Sequence, residues 1–481
     1  MFYNYILLTK KEKIKTMENF FKVKEHGSTV KTEVLAGITS FMAMAYILTV
    51  NANMFSSLGV VSYNAIYIAT AISAIVGTLL IGLLANLPLA LASGMGLNAF
   101  FVYTVCFTFG LSYANALVLV LFDGVLFIIL TITGVRTKLF NAIPMCVRIA
   151  ITAGIGLFIA FIGLQDAGIV VADASTCVNL VSFNLFNGNA TWATVMPKLI
   201  TIFTLIIIAV LAKKNVKGSV FFGILGGTIG YYLLGITIPG FYDGFASKFS
   251  FNPFTAFGEW GSQAFGKVFT QGFDFSAYLA NHTTAELVIL IITTALAFCL
   301  VDMFDTLGTL YGACSRGALL TKDGQVPNFE KAMLSDAVAT LVGSVCGTST
   351  VTTFVESSAG VAEGGRTGLS AITTAGMFFV AMFLSPVASL IPTYATAGAL
   401  IYVGVLMLGG VSNVEWDDPA SAVPAFLTLA MMPLAYNISY GIAFGVISYI
   451  FIKLFTGKVK DIEPFTWIIG ILFTLMFFLT H

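Results

Sequence analysis

Thr348–Arg366 reads TSTVTTFVESSAGVAEGGR, a run of hydroxyl and glycine residues carrying Glu356 between long apolar segments. It is too polar and too interrupted for an ordinary membrane span. Irregular backbone at bilayer depth persists only where protein buries it or where it lines a cavity. A polar break of this kind therefore points to a transport site. A second break, Pro88–Phe101 (PLALASGMGLNAFF), lies in the first half of the chain. One break in each half suggests a secondary transporter built from two repeats.

Working outward, the surroundings are those of a membrane protein. Of 481 residues, 58% are hydrophobic and only 10% are charged, whereas soluble domains carry roughly 25% charged residues. Apolar runs of about 20 residues, long enough to cross about 30 Å of hydrocarbon, recur along the chain. We read spans at 33–56, 64–86, 112–134, 145–165, 195–212, 218–237, 285–310, 331–346, 367–388, 395–412, 420–434 and 438–455, with half-helices near 95–107 and 355–363. This is an all-α polytopic fold of fourteen segments, broken at the third and tenth. The stretch 464–480 reads either as a fifteenth span or as a helix packed on the surface. Met17 is an alternative start to Met1.

Charge supports this topology. With the N-terminus cytoplasmic, 20 of the 23 Lys and Arg fall inside, leaving Lys198, Lys248 and Lys267 outside, as the positive-inside rule requires. Seven crossings per half is an odd number, so the halves must be inverted relative to each other. Ala69–Gly77 (ATAISAIVG) lines up with Ser335–Gly343 (SDAVATLVG), each leading into a broken segment. The division that follows is a cytoplasmic segment 1–32, a first core part 33–140 and a first gate part 141–237. An extracytoplasmic loop 238–284, a second core part 285–390, a second gate part 391–455 and an apolar extension 456–481 complete it.

Ionisable residues inside spans are costly and mark function. They are Asp123, Asp302, Asp305, Asp336, Glu356 and Glu363; no Lys or Arg falls mid-span. A carboxylate-lined site without a fixed cation suits a neutral hydrogen-bond donor, a cation or a proton rather than an anion. Glu356 opens its half-helix, where unpaired N–H groups face the site, and is read as a ligand rather than a structural cap. Thr348–Thr353 alternates as a short extended strand would. Asn98 offers a two-sided amide, and is either a ligand or a tie between helices. Asp302 and Asp305, three apart, share a helix face; two carboxylates in a low dielectric do not both ionise without partners, so one can carry a coupling proton. Phe354 points the same way as Glu356 on an extended segment and could stack a flat ring. Asp123 and Asp336 read as structural, and Glu363 as an ion pair with Arg366. The six Cys read as buried small hydrophobes. His26, His282 and His481 lie outside the spans. Nothing resembles a metal cluster or a nucleophile elbow, so we read no enzyme and no cofactor beyond a proton. Zero net charge gives no nucleic-acid signal.

The strings LAGITSFMAMAYILTVN (35–51), ASGMGLNAFF (92–101), VDMFDTLGTL (301–310), GTSTVTTFVESSAGVAEGGRTGL (347–369) and PAFLTLAMMPLAYNISYGIAFG (424–445) resemble the adenine/guanine/hypoxanthine permeases. These are the purine branch of the nucleobase/ascorbate transporter superfamily. The resemblance covers about Glu33 to Lys453. It implies a fourteen-helix inverted repeat with core and gate domains, in the plasma membrane, taking up a purine base with protons. It ties Asp302, Glu356 and Asn98 to purine binding, Asp305 to transport and Phe354 to stacking. By analogy it implies a homodimer through the gate domains. An anion transporter or exchanger of the same broad architecture is the alternative.

Overall fold

The computed structural model describes residues 18–133, 143–186, 188–238, 252–316, 319–321 and 325–479. Both candidate starts, and Arg136, Lys138, Lys248 and Lys322, lie outside the described residues.

The chain opens with α1 (Val30–Met44) and α2 (Tyr46–Ser56), one rod with a turn at Ala45. Next comes α3 (Tyr63–Leu80), extended by a wide π turn through Ala85. Strand β1 (Leu91–Ser93) and half-helix α4 (Met95–Ala99) follow, the latter running on as wide turns to Thr108. Then come α5 (Tyr113–Thr133), α6 (Met145–Asp166), the hairpin β2 (Val170–Asp173) and β3 (Cys177–Leu180), α7 (Trp192–Lys213) and α8 (Ser219–Thr237). Short helices α9 (Pro253–Gln263), α10 (Lys267–Thr270) and α11 (Ser276–Leu279) lead to α12 (Thr284–Arg316) and α13 (Phe329–Cys346). Strand β4 (Val351–Thr353) and half-helix α14 (Ser357–Ala362) precede α15 (Gly368–Met382), α16 (Ser385–Ala388) and α17 (Thr393–Met407). The last elements are α18 (Pro419–Leu434), α19 (Ile438–Phe455) and α20 (Pro464–Leu479). Nine helices among the described residues have the length and apolarity to cross a membrane, and the other predicted segments also contain helix.

Contacts fix the two ends of the bundle. Near the start of α1, Glu33 accepts from the Arg366 backbone N–H (2.9 Å) and Asn86 accepts from that of Gly368 (2.8 Å). Asn328 donates to the Ala85 carbonyl (3.0 Å) at the same end. At the other end, Ser62 donates to Glu259 (2.5 Å), Trp260 to the Cys346 carbonyl (2.9 Å) and Asn115 to the Gly272 carbonyl (2.8 Å). Two helix groups run between these ends. α1, α3, α5, α13 and α15 pack on one another; α6, α7, α8, α17, α18 and α19 do the same.

Four expectations need correction. The fold is not purely helical, because two antiparallel strand pairs are present, β1–β4 and β2–β3. The stretch 238–284 is not simply a loop: α9 packs against α3, and Gly266 donates to the Val345 carbonyl (2.8 Å). These helices are too short to be stable alone, so tertiary contact makes them. Glu363 pairs with Lys217 rather than with Arg366, whose guanidinium donates to the Val361 (2.6 Å) and Gly365 (2.8 Å) carbonyls. The six Cys are not all buried either: Cys177 is exposed in the β2–β3 hairpin and Cys106 is half-buried. The apolar C-terminal helix α20 lies against α19 and α12, with Phe473 and Met476 buried.

Small residues set the helix spacing, as is usual where lipid rather than water surrounds a bundle. A Cβ on Gly368 would strike the backbone of Gly82, and one on Gly37 would strike Ser370 and Thr373. Backbone cannot step aside as a side-chain tip can. We expect Gly368→Val to lose its monodisperse peak in detergent size-exclusion chromatography. Gly376→Val, on the same helix with open space around it, should keep it. Equal profiles would show that this contact does not hold the bundle.

A candidate substrate site between the broken segments

The two breaks meet. β1 and β4 pair antiparallel, with Leu91 opposite Thr353, Ala92 opposite Thr352 and Ser93 opposite Val351. Gly94 N–H donates to the Thr350 carbonyl and Phe354 N–H to the Ala90 carbonyl, both at 3.0 Å. Two threonines clamp the strand starts: Thr78 of α3 both donates to and accepts from Leu91 (3.0 Å each), and Thr340 of α13 does so with Val351 (3.2 Å each). Every polar group of so short a ladder needs a partner at bilayer depth, and these hydroxyls supply several. The strand predicted over Thr348–Thr353 is therefore present as Val351–Thr353. Half-helices α4 and α14 start on either side of the ladder.

A cavity of about 400 Å³ opens beside it, within the range of roughly 300–1,000 Å³ that small molecules occupy. Tyr46, Gly96, Asp305, Thr352, Phe354 and Glu356 contribute to one wall. Thr152 of α6 and Val403, Leu406 and Met407 of α17 form the other. The cavity lining reaches Thr309 of α12 and Met407 and Gly410 at the end of α17, on the side of the bundle that holds the N-terminus. The Tyr46 hydroxyl donates to Glu356 Oε1 at 2.6 Å, and the Thr352 hydroxyl to Asp305 Oδ2 at 3.3 Å. The wall thus offers two carboxylates, hydroxyls and an aromatic side chain. No Lys, Arg or His lines it among the described residues.

The structure brings Glu356, Phe354 and Asp305 into this cavity and sets Asp302 and Asn98 behind it. Asp302 is fully buried in α12. Three residues along a helix are still rotated by about 60° and displaced by about 4.5 Å, so a narrow cavity reaches one carboxylate and not its neighbour. Asn98 closes the turn before α4: its Oδ1 accepts from the Ser93 hydroxyl (2.9 Å) and its Nδ2 donates to the Ser93 carbonyl (3.3 Å). A polar relay continues from Ser93 to Thr348 (2.8 Å between hydroxyls), with Asn51 donating to Thr348 (3.0 Å) and Thr70 (2.7 Å). Asp336 accepts from Thr306 (2.9 Å). Asp123 is buried on α5, which packs against α13, the helix that carries Asp336. Among the described residues, no three His, Cys, Asp or Glu gather as a metal ion would need.

A model of the family described as "Permease family" matches residues 31–444. The chain belongs to the permease family. The permease is 41% identical to the guanine/hypoxanthine permease PbuO of Bacillus subtilis (strain 168), over 95% of this chain and 100% of that one. It is 38% identical to the adenine permease AdeP of Escherichia coli (strain K12), over 95% of each chain. Among solved structures, the transmembrane domain of a cyanobacterium bicarbonate transporter, BicA, aligns with TM-score 0.60 at 15% identity, over 85% of this chain and 97% of that one. Murine Slc26a9, an anion transporter solved in the inward-facing state, aligns with TM-score 0.59 at 12% identity, over 88% of this chain and 68% of that one. At these identities the structural likeness speaks for the fold alone. The resemblance read from the motifs is borne out at family level.

Sequence reasoning missed Tyr46, the Glu356 partner. Nothing marks it among the 17 tyrosines of the permease, except its place within the string 35–51. It also missed Glu33, which draws the loop before α15 onto the start of α1.

Proposed function

We propose that this permease takes up a purine nucleobase (adenine, guanine or hypoxanthine) across the plasma membrane by proton-coupled alternating access. What carries the reading is the cavity in which Glu356, held by Tyr46, faces open space beside Phe354. Purines are flat, neutral and rich in N–H donors. Glu356 accepts those donors, Phe354 stacks the ring, and Thr352 and backbone N–H groups serve the ring acceptors. Asn98 holds the first half-helix in place from behind. Asp305, on the cavity wall, or Asp302 behind it carries the proton. The names of the relatives and the absence of a lining cation among the described residues both support this substrate class.

The transport cycle we propose uses fourteen crossings in two inverted sevens, with the N-terminus cytoplasmic. The group containing α1, α3, α5, α13 and α15 carries the site as a core. The group containing α6–α8 and α17–α19 acts as the gate against which it moves. The cavity then faces the cytoplasm.

Radiolabelled adenine, guanine, hypoxanthine, xanthine and uracil uptake in cells lacking their own nucleobase permeases tests the proposal. We expect saturable uptake of a purine subset that collapses with the proton gradient. One rival is an anion exchanger of the same broad architecture. Bicarbonate or sulfate flux without base uptake by a well-expressed protein would select it.

A further inference from the structure

The two helix groups also meet at the end opposite the cavity mouth, and there they touch through a few hydrogen bonds. The Tyr103 hydroxyl, on the continuation of α4, donates to Asp166 Oδ1 at the end of α6 (3.3 Å). Asn53 of α2 donates to the Thr396 hydroxyl of α17 (3.3 Å). Thr104 donates to the Tyr436 carbonyl, between α18 and α19 (3.3 Å). α2 packs on α3 and the continuation of α4 touches α5, so each bond joins an element beside the first group to one in the second. The Tyr436 ring stands edge-on to those of Tyr103 (5.7 Å between centroids) and Phe158 (5.4 Å). Around these contacts lies a second space of about 240 Å³, lined by Asn53, Tyr103, Asp166 and Thr396 themselves, by Leu400, and by Ser57 and Thr393 at the ends of α2 and α17.

Both cavities lie along the same seam. On α2, Tyr46 lines the substrate cavity and Asn53 the second space, seven residues on. On α17, Thr396 lines the second space and Val403 the substrate cavity, again seven apart. On α6, Thr152 and Asp166 do the same at twice that spacing. Seven residues are close to two helical turns, so each helix shows one face to the other group along its length. The seam is parted at the N-terminal side and closed at the other. The closing bonds are few: Tyr103 to the two Asp166 oxygens (3.3 and 3.5 Å), Asn53 to Thr396 and Thr104 to Tyr436 (3.3 Å each).

We infer that Tyr103–Asp166 and Asn53–Thr396 form the gate on the face opposite the N-terminus, and that the 240 Å³ space is the vestibule in which it stands, with Leu400 on the inner side. These are positioning residues. They hold the site turned away from that face without touching the substrate. The inference rests on the alternating-access reading.

The test places a cysteine at Leu400, which is buried in the vestibule (3% exposed), in a Cys106→Ser, Cys177→Ser background. A membrane-impermeant methanethiosulfonate is applied to the face opposite the N-terminus. We expect slow labelling in this background, and labelling about tenfold faster with Tyr103→Phe or Thr396→Val added. Tyr103→Phe removes the contact with the Asp166 carboxylate, Thr396→Val removes the bonds to Asn53 and to the Thr393 carbonyl, and both keep most of the side chain's volume. Purified variants should still bind purine at the parent's stoichiometry. Unchanged labelling in both variants, or fast labelling in the parent, would overturn the gate. Absence of purine binding in the parent would instead sink the substrate reading and leave the accessibility result standing.

Discussion

Glu356→Gln should lower purine uptake at least about 100-fold while the protein still reaches the membrane. The substitution keeps shape, and the amide oxygen can still accept from Tyr46, whose hydroxyl lies 2.6 Å from Glu356 Oε1. What disappears is the charge that a purine N–H would meet. A hydrogen bond to a charged group contributes about 1.5–3 kcal/mol, and about 1.4 kcal/mol is tenfold in affinity. Losing the charge while turning an NH₂ donor toward a donor edge costs more than one such bond. The measurement is initial-rate uptake normalised to surface expression. A variant within threefold of wild type would place the binding carboxylate elsewhere.

Asp305→Asn should separate transport from accumulation. Asp305 lines the cavity and accepts from Thr352 at 3.3 Å, a bond the asparagine oxygen can keep. Asparagine imitates the protonated carboxyl permanently, so the conformational change remains open while its dependence on a proton is lost. We expect purine exchange across vesicles to stay within about threefold of wild type. The accumulation ratio should fall to about one, because a transporter with no coupled ion only equilibrates its substrate. Accumulation that still follows the imposed proton gradient would move the proton to Asp302, one turn back on α12.

What the sequence made legible was the backbone plan. Polarity interrupting an apolar run identified both breaks, because bilayer physics leaves such a run few alternatives. Alternation over Thr348–Thr353 located the strand, and its exit placed Phe354 and Glu356 in one cavity. The rest depends on helix phase and on partners far along the chain. Asp302 and Asp305 share a helix face and Asp302 read as the substrate ligand, whereas the position of the opposing wall puts Asp305 on the cavity. Asn98 read as either a ligand or a tie between helices, and its bond to the Ser93 backbone, which carries no sequence signal of its own, is local. Glu363 looked paired with Arg366 by proximity, while Lys217 becomes its partner only through folding. Tyr46 sits 310 positions from Glu356, beyond any local pattern.

The ladder joining the breaks also dictates an order of events during synthesis. Leu91 finds its partner, Thr353, only after 262 further positions have been added, counting 91 to 353. At about 5–20 residues per second, the first break waits roughly 13 to 50 seconds with its strand unpaired. Bare strand edges are not tolerated in lipid, so the insertion machinery or trapped water must shield Leu91–Ser93 for that interval. The first half can therefore enter the bilayer before it is finished, and the substrate cavity takes shape only once the ribosome has passed Glu356.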